Sequence, residues 1–280
     1  GFSDFWGKIT GRATSNTTSL NITVGNSAPT IPIVQAISAQ TPTDDTTTSV
    51  VFNFSAVDTD GAANINVSTT NATFTQAGEP LRTNLSCANW GSSGNMVNFT
   101  CTILMYYFDA SGSWTVNVSI KDINLATGVN SSTTFTYNVY TGMKMSPTSL
   151  SWPPIGLSSV DTGSSNDPIL INNTGNDMAV NINVTSYDLR GEITTTQFIY
   201  ANNFTVENAN PGCSGTAMVN ASSTNVTSAV LNKGNHSVND GTTGQEQIYF
   251  CLKGVPQGIS AQSYSSAAIG AWIIEAVSPP

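Results

Sequence analysis

Gly112-Ser-Trp-Thr-Val-Asn-Val-Ser-Ile-Lys-Asp122 is the stretch whose reading decides the fold class. Trp114, Val116, Val118 and Ile120 alternate with Thr115, Asn117 and Ser119, a period of two that gives an extended strand one apolar and one polar face. The same alternation returns in Val50, Phe52, Phe54 and Ala56, and again in Val97, Phe99, Cys101 and Ile103. Gly, Asn and Asp turn residues separate these runs, and no long stretch carries the 3.6-residue period of an amphipathic helix. The expected class is all-β.

Working outward from that strand, the chain divides into an N-terminal arm (1–29) and two β-sandwich domains in tandem (30–140 and 141–280). In the first domain, strands are expected near 31–38, 49–57, 63–68, 96–106, 112–122 and 132–140. The arm ends in Asn26-Ser27-Ala28-Pro29, a linker composition. It carries Leu20, Ile22 and Val24 at strand spacing, within an expected strand over 17–25. Before them come Phe2, Phe5, Trp6 and Ile9 at the spacing of one short helical face. Such apolar groups need cover, either from the chain's own domain or from a neighbour's sheet by strand addition.

Asn is the residue whose placement says most about the surface. Asn-x-Ser/Thr acceptors for N-glycosylation occur at Asn16, Asn21, Asn53, Asn66, Asn71, Asn84, Asn98, Asn117, Asn130, Asn172, Asn183, Asn203, Asn220, Asn225 and Asn235. Thirty Asn in a chain with 38 Thr and 34 Ser give about 8 such sites by chance, so the fifteen found are roughly a twofold excess. Within alternating runs the acceptors fall on the polar face: Asn53 opposes Phe52 and Phe54, Asn98 opposes Val97 and Phe99, Asn117 opposes Val116 and Val118, and Asn183 opposes Ile182 and Val184. Covalent glycans are therefore expected partners.

Charge is scarce. Only 9% of residues are charged, against about 25% in typical soluble domains, and the eight Lys and Arg are scattered singly. With a net charge of −9, neither nucleic acid nor an anionic membrane surface is an expected partner. Cys87, Cys101, Cys213 and Cys251 show no CxxC spacing, and His236 is the single histidine, so a zinc cluster is not expected. Three disulfide connectivities are possible. Pairing by proximity gives Cys87 with Cys101 and Cys213 with Cys251, which suits an oxidising exterior. No apolar run is long enough for a membrane-spanning helix. The start at Gly1 reads as a mature secreted product whose signal peptide has been removed.

Phe54-Ser-Ala-Val-Asp-Thr-Asp-Gly61, followed by the Gly112–Asp122 strand, resembles immunoglobulin-like surface repeats of the polycystic-kidney-disease and cadherin-like type. That resemblance implies an immunoglobulin-like sandwich in a stalk or coat, and no chemistry. Phe5-Trp-Gly-Lys-Ile-Thr-Gly-Arg-Ala-Thr14, together with Pro147-Thr-Ser-Leu-Ser-Trp-Pro-Pro154, Pro168–Asn176, Met178–Val184, Gln247–Leu252, Val255–Ile259 and the strand around Trp272–Ile274, is similar to archaeal secreted cell-surface proteins. This second resemblance implies an archaeal cell-surface setting and a structural role, as a filament or surface-layer subunit.

Little in the sequence points to catalysis. His236 lies in the sequon Asn235-His-Ser237, and there is no Gly-x-Ser-x-Gly elbow, P-loop, dinucleotide fingerprint or HExxH. No catalytic or cofactor-binding residue is expected. Asp58-Thr-Asp60-Gly61 reads first as a turn closing a strand, with a calcium ion on Asp58 and Asp60, and Asp44 and Asp45 contributing, as the alternative. The expected function is a self-assembling, N-glycosylated subunit of a pilus- or thread-like extracellular filament, a homopolymer joined head to tail by donor strand complementation, and not an enzyme. The alternatives are a surface-layer protein or adhesin, and a carbohydrate-binding module of a secreted enzyme presenting Trp90, Trp152 or Trp272.

Overall fold

The structure, a computed structural model, describes residues 19–278. It is all-β, 49% strand and 3% helical. Among the described residues, eight strands make the N-terminal half: β1 (Thr30–Val34), β2 (Thr47–Val57), β3 (Ile65–Thr75), β4 (Arg82–Asn84), β5 (Ala88–Ser93), β6 (Met96–Tyr106), β7 (Gly112–Asp122) and β8 (Thr127–Tyr137). They form two antiparallel sheets, ordered β1-β2-β6-β5 and β4-β3-β7-β8. Phe52, Phe54, Phe99, Ile103 and Met105 from one sheet and Phe74, Trp114, Val116, Ile120 and Phe135 from the other share one buried cluster. The Trp114 indole N–H donates to the Ala110 carbonyl at 2.9 Å, so the largest core side chain buries no unpaired donor.

β6 and β7 coincide with the strands expected at 96–106 and 112–122. β3 runs seven residues past the expected 63–68, because a register shift between Asn66 and Asn71 interrupts its alternation. β4 and β5 are short and mostly exposed, and so carry no apolar pattern to read.

Twelve further strands form the C-terminal half: β9 (Met143–Ser146), β10 (Val160–Gly163), β11 (Ile169–Asn173), β12 (Val180–Ser186), β13 (Leu189–Gly191), β14 (Phe198–Ile199), β15 (Phe204–Glu207), β16 (Thr216–Ala217), β17 (Ser222–Leu231), β18 (Gln245–Gly254), β19 (Tyr264–Ser265) and β20 (Ile273–Val277). One sheet is ordered β16-β15-β18-β11-β9 with β10 also on β18, a second β17-β12-β20, and a small third β14-β13-β19. Ile171, Val184, Phe204, Val206, Leu231, Ile248 and Phe250 are among the buried residues of this half's own core.

Strand register gives the N-terminal half two distinct ends. Thr47 opposite Tyr106 and Gly112 opposite Tyr137 mark one end; Val57 opposite Met96 and Lys121 opposite Thr127 mark the other. The eleven residues of β2 run between them, a span of about 33 Å.

The C-terminal half attaches at the first end. Asn176, 1% exposed, donates to the carbonyls of Asp109 and Asn138 and accepts from the Tyr140 N–H. Around this buried hub, Lys144 and His236 each reach the Asp45 carboxylate at 2.5 Å, and Lys233 reaches Glu79 at 2.6 Å. Burial works against the Asp45 charge, yet the Lys144 and His236 side chains hold its carboxyl below the ordinary range. Asp109 is itself gripped by the Arg82 guanidinium and accepts from the Tyr106 N–H.

Asn176→Leu keeps the branched skeleton and leaves two carbonyls and one N–H at the seam without their partner. The expected loss is about 2–4 kcal/mol of unfolding free energy, read by urea denaturation. A loss below about 1 kcal/mol would show that water replaces the amide without difficulty.

Candidate functional site

The two halves differ in how completely their cores are closed. In the N-terminal half only Val34, Ile37 and Ala62 pack half-buried against the core. In the C-terminal half a whole flank is half-open, with Met143 and Met145 of β9, Ile274 and Ala276 of β20, and Leu150, Trp152, Ile155, Val255, Ile259 and Trp272 around them. β9 and β20 are both edge strands of their sheets. Near the seam they are tied together, since Thr141 and Ser278 both hydrogen-bond Asp177.

Between them lies a groove of ≈ 1260 Å³, larger than the roughly 300–1,000 Å³ that suits a small-molecule ligand. Its walls are built from Met145, Leu150, Ile199, Phe204, Leu252 and Ile274, and no Asp, Glu, Lys, Arg or His lines it. Two indoles brace it from within. Trp152 donates to the Thr162 carbonyl and Trp272 to the Tyr187 carbonyl, and both stack edge-on against Phe204 at 5.2 and 5.3 Å. The loop forming one wall is fastened in turn: Asn166 accepts from the Ser151 N–H, and the Ser165 N–H donates to the Ser151 carbonyl. Both tryptophans are thus spoken for as packing groups, and of the three considered for sugar stacking Trp90 alone is largely exposed.

The arm is the second feature. Residues 19–29 form no strand, and Leu20, Ile22 and Val24 are 83%, 72% and 85% exposed. The expected strand over 17–25 therefore has no partner within the described chain. Phe2, Phe5, Trp6, Ile9 and Asn16 lie outside the described residues. The arm's root is firmly held: Asn26 donates to Asp122 at 2.7 Å, the Ser27 N–H donates to Asp60 at 2.8 Å, and Asn64 and Asn124 both donate to the Asn26 side-chain oxygen.

Those contacts show what the turn at Asp58 does. Asp58 is fully buried and accepts from the Asp60 N–H and the Asn64 amide. Asp58 and Asp60 close the turn and fasten the arm. Asp45 and Asp44 are not beside them. Asp45 serves the seam and Asp44 sits against Gly142, one length of β2 away, because an extended strand separates residues that the sequence places only thirteen apart. Among the described residues, only Asp161, Cys213 and Cys251 bring three possible metal ligands together, and there both sulfurs are joined in a disulfide. The structure pairs Cys87 with Cys101 and Cys213 with Cys251.

Of the fifteen sequon asparagines, all but Asn16 are described, and none of these is buried. The fully buried asparagines, Asn173 and Asn176, are not acceptors. Asn71, Asn117 and Asn130 surround one shallow depression on the outer face of β3, β7 and β8, and Asn183 faces Asn225 across β12 and β17.

No protein-family model matches the chain, and no curated protein matches it either. The groove was not anticipated from the sequence. Its signal is Leu150, Trp152, Ile155 and Leu157, four large apolar residues in a Pro- and Ser-rich segment with no strand alternation, which shows that apolar cover is needed but not where.

Asp167, just before groove residue Ile169, supplies a test of this wall. Burial pushes its carboxyl up to about 6, although the Phe250 and Ser164 backbone N–H groups oppose the shift. A carboxyl raised on folding binds a proton that the unfolded chain does not, so its stabilising contribution is full below pH 3.8 and is lost as pH rises through about 6. Asp167→Asn keeps an acceptor for Phe250 and removes the titration. Its Tm is expected to exceed the wild type's at pH 7, with the gap closing at pH 4.5; a pH-independent gap would refute the assignment.

Proposed function

We propose that this chain is a structural subunit of an extracellular filament, self-assembling head to tail through its N-terminal segment. The observation that carries this reading is the exposed run of Leu20, Ile22 and Val24. Each such side chain left in water forgoes roughly 1.5–3 kcal/mol of burial. A segment that alternates like a strand, pairs with nothing among the described residues and is clamped at its root is suited to completing a sheet in another molecule. A donor at one end of each subunit makes a heterologous contact, which propagates as an open array.

The remaining features fit an exterior setting. All four cysteines are paired and none is free, as expected where thiols are oxidised. The surface placement of the acceptor asparagines suits N-glycosylation, and uncharged sugar would hydrate a chain that is poor in charge while blocking edge-to-edge pairing of its many strands. Among the described residues, no helix is long and apolar enough to cross a membrane. The two cores are read here as two immunoglobulin-like sandwiches in tandem, and the similarity to archaeal surface proteins supplies the cellular context. The apolar, carboxylate-free groove favours assembly over a hydrolytic role.

Negative-stain electron microscopy of the full chain beside one lacking residues 1–25 tests the reading. Filaments from the full chain alone are expected, while dispersed monomers from both would refute it. Enzymatic deglycosylation of filaments from the native source is expected to increase lateral bundling and protease sensitivity. If neither changes, the sugar has no such protective part.

A further inference from the structure

Resting on that reading, we infer that the groove between β9 and β20 is the acceptor, and that its occupant is the strand around residues 17–25 of a second copy of this chain. The chemistry of the two surfaces corresponds. No charged residue lines the groove, and none occurs from Ala13 through Thr43. In an extended strand Leu20, Ile22 and Val24 share one face and Asn21 and Thr23 the other, so a strand that seats its apolar face in the groove turns the Asn21 acceptor outward. Two free sheet edges with half-buried Met143, Met145, Ile274 and Ala276 lie where an inserted strand would close the core.

Reach assigns the occupant to another molecule. Asn26 is fixed beside Asp122 and Asn64, at the end of the N-terminal half farthest from the seam. Leu20 lies six residues before it, at most about 21 Å of extended chain. The seam is about 33 Å away along β2, and the groove lies beyond it, among residues of the C-terminal half. Leu20, Ile22 and Val24 therefore cannot enter the groove of their own chain. Donor and acceptor at opposite ends of one elongated path give each subunit one outgoing and one incoming strand.

Single cysteines in the otherwise full-length protein test this, because no native thiol is free to compete. A tagged copy carrying Ile22→Cys is mixed with an untagged copy carrying Ile274→Cys or, independently, Met145→Cys, and with a control carrying Thr102→Cys on an outer face of the N-terminal half. After mild oxidation, an intermolecular adduct is expected with either groove variant and not with the control. In parallel, Ile22→Asp, at an exposed position, is expected to leave the monomer's Tm unchanged and to reduce filament yield at least tenfold. Filaments that form without cross-linking at either groove position would overturn the acceptor assignment and leave self-assembly standing. So would cross-linking within a monomeric Ile22→Cys/Ile274→Cys double variant. Absence of both filaments and adducts would overturn the acceptor and the filament reading together.

Discussion

A β-sheet with one apolar face has to cover that face, and the two halves of this chain meet the requirement in different ways. In the N-terminal half, two four-stranded sheets of matched length close on each other, and their aromatic residues fill the space between. The C-terminal half has sheets of unequal size, with short strands and long loops, and although β17 packs across the larger sheet, the β9 and β20 edges leave a flank of half-buried apolar residues. Trp152, Trp272 and the Leu150–Leu157 loop line the gap without filling it. In the polymer proposed above, a strand from the next subunit would close each core and turn this shortfall into the bond between subunits, with burial of apolar area as the driving force.

The seam lets the two halves act as one lever. A single buried amide of the C-terminal half, Asn176, serves three backbone groups of the N-terminal half, at Asp109, Asn138 and Tyr140, and around it the charged contacts of Asp45, Lys144, His236, Lys233 and Glu79 form a partly exposed rim. Surface ion pairs contribute little on their own. The buried hydrogen bonds are directional, and so set the relation between the arm's root at one end and the groove at the other. In a chain with 9% charged residues, gathering several of these charges at the seam leaves the lateral surfaces to Asn, Ser and Thr.

Near the arm's root, buried Asp58 and Asp122 hold the turn and the linker through N–H donors from Asn26, Asn64, Asp60 and Ala126. Asp58 and Asp60, the two carboxylates that suggested a cation from the sequence, are there engaged in closing the turn and fastening the segment before β1. Position along β2 separates this cluster from Asp44 and Asp45, so acids close in sequence serve opposite ends of the half.

What the sequence determined by itself was whatever depends on a local period: the all-β class, the strands β2, β6 and β7, the face on which Asn53, Asn98, Asn117 and Asn183 lie, and the apolar alternation of the arm. A period-two pattern is written directly in the side chains, because consecutive residues of a strand must point to opposite sides. β4, β5 and β13 to β16 were not legible, since they are too short or too exposed to carry a period. Which edges stay unpaired, where Leu150, Trp152 and Trp272 converge, and how far the arm's root stands from the groove were decided only by tertiary structure. Those properties arise from contacts between residues more than a hundred positions apart, and no local pattern encodes the distance between them.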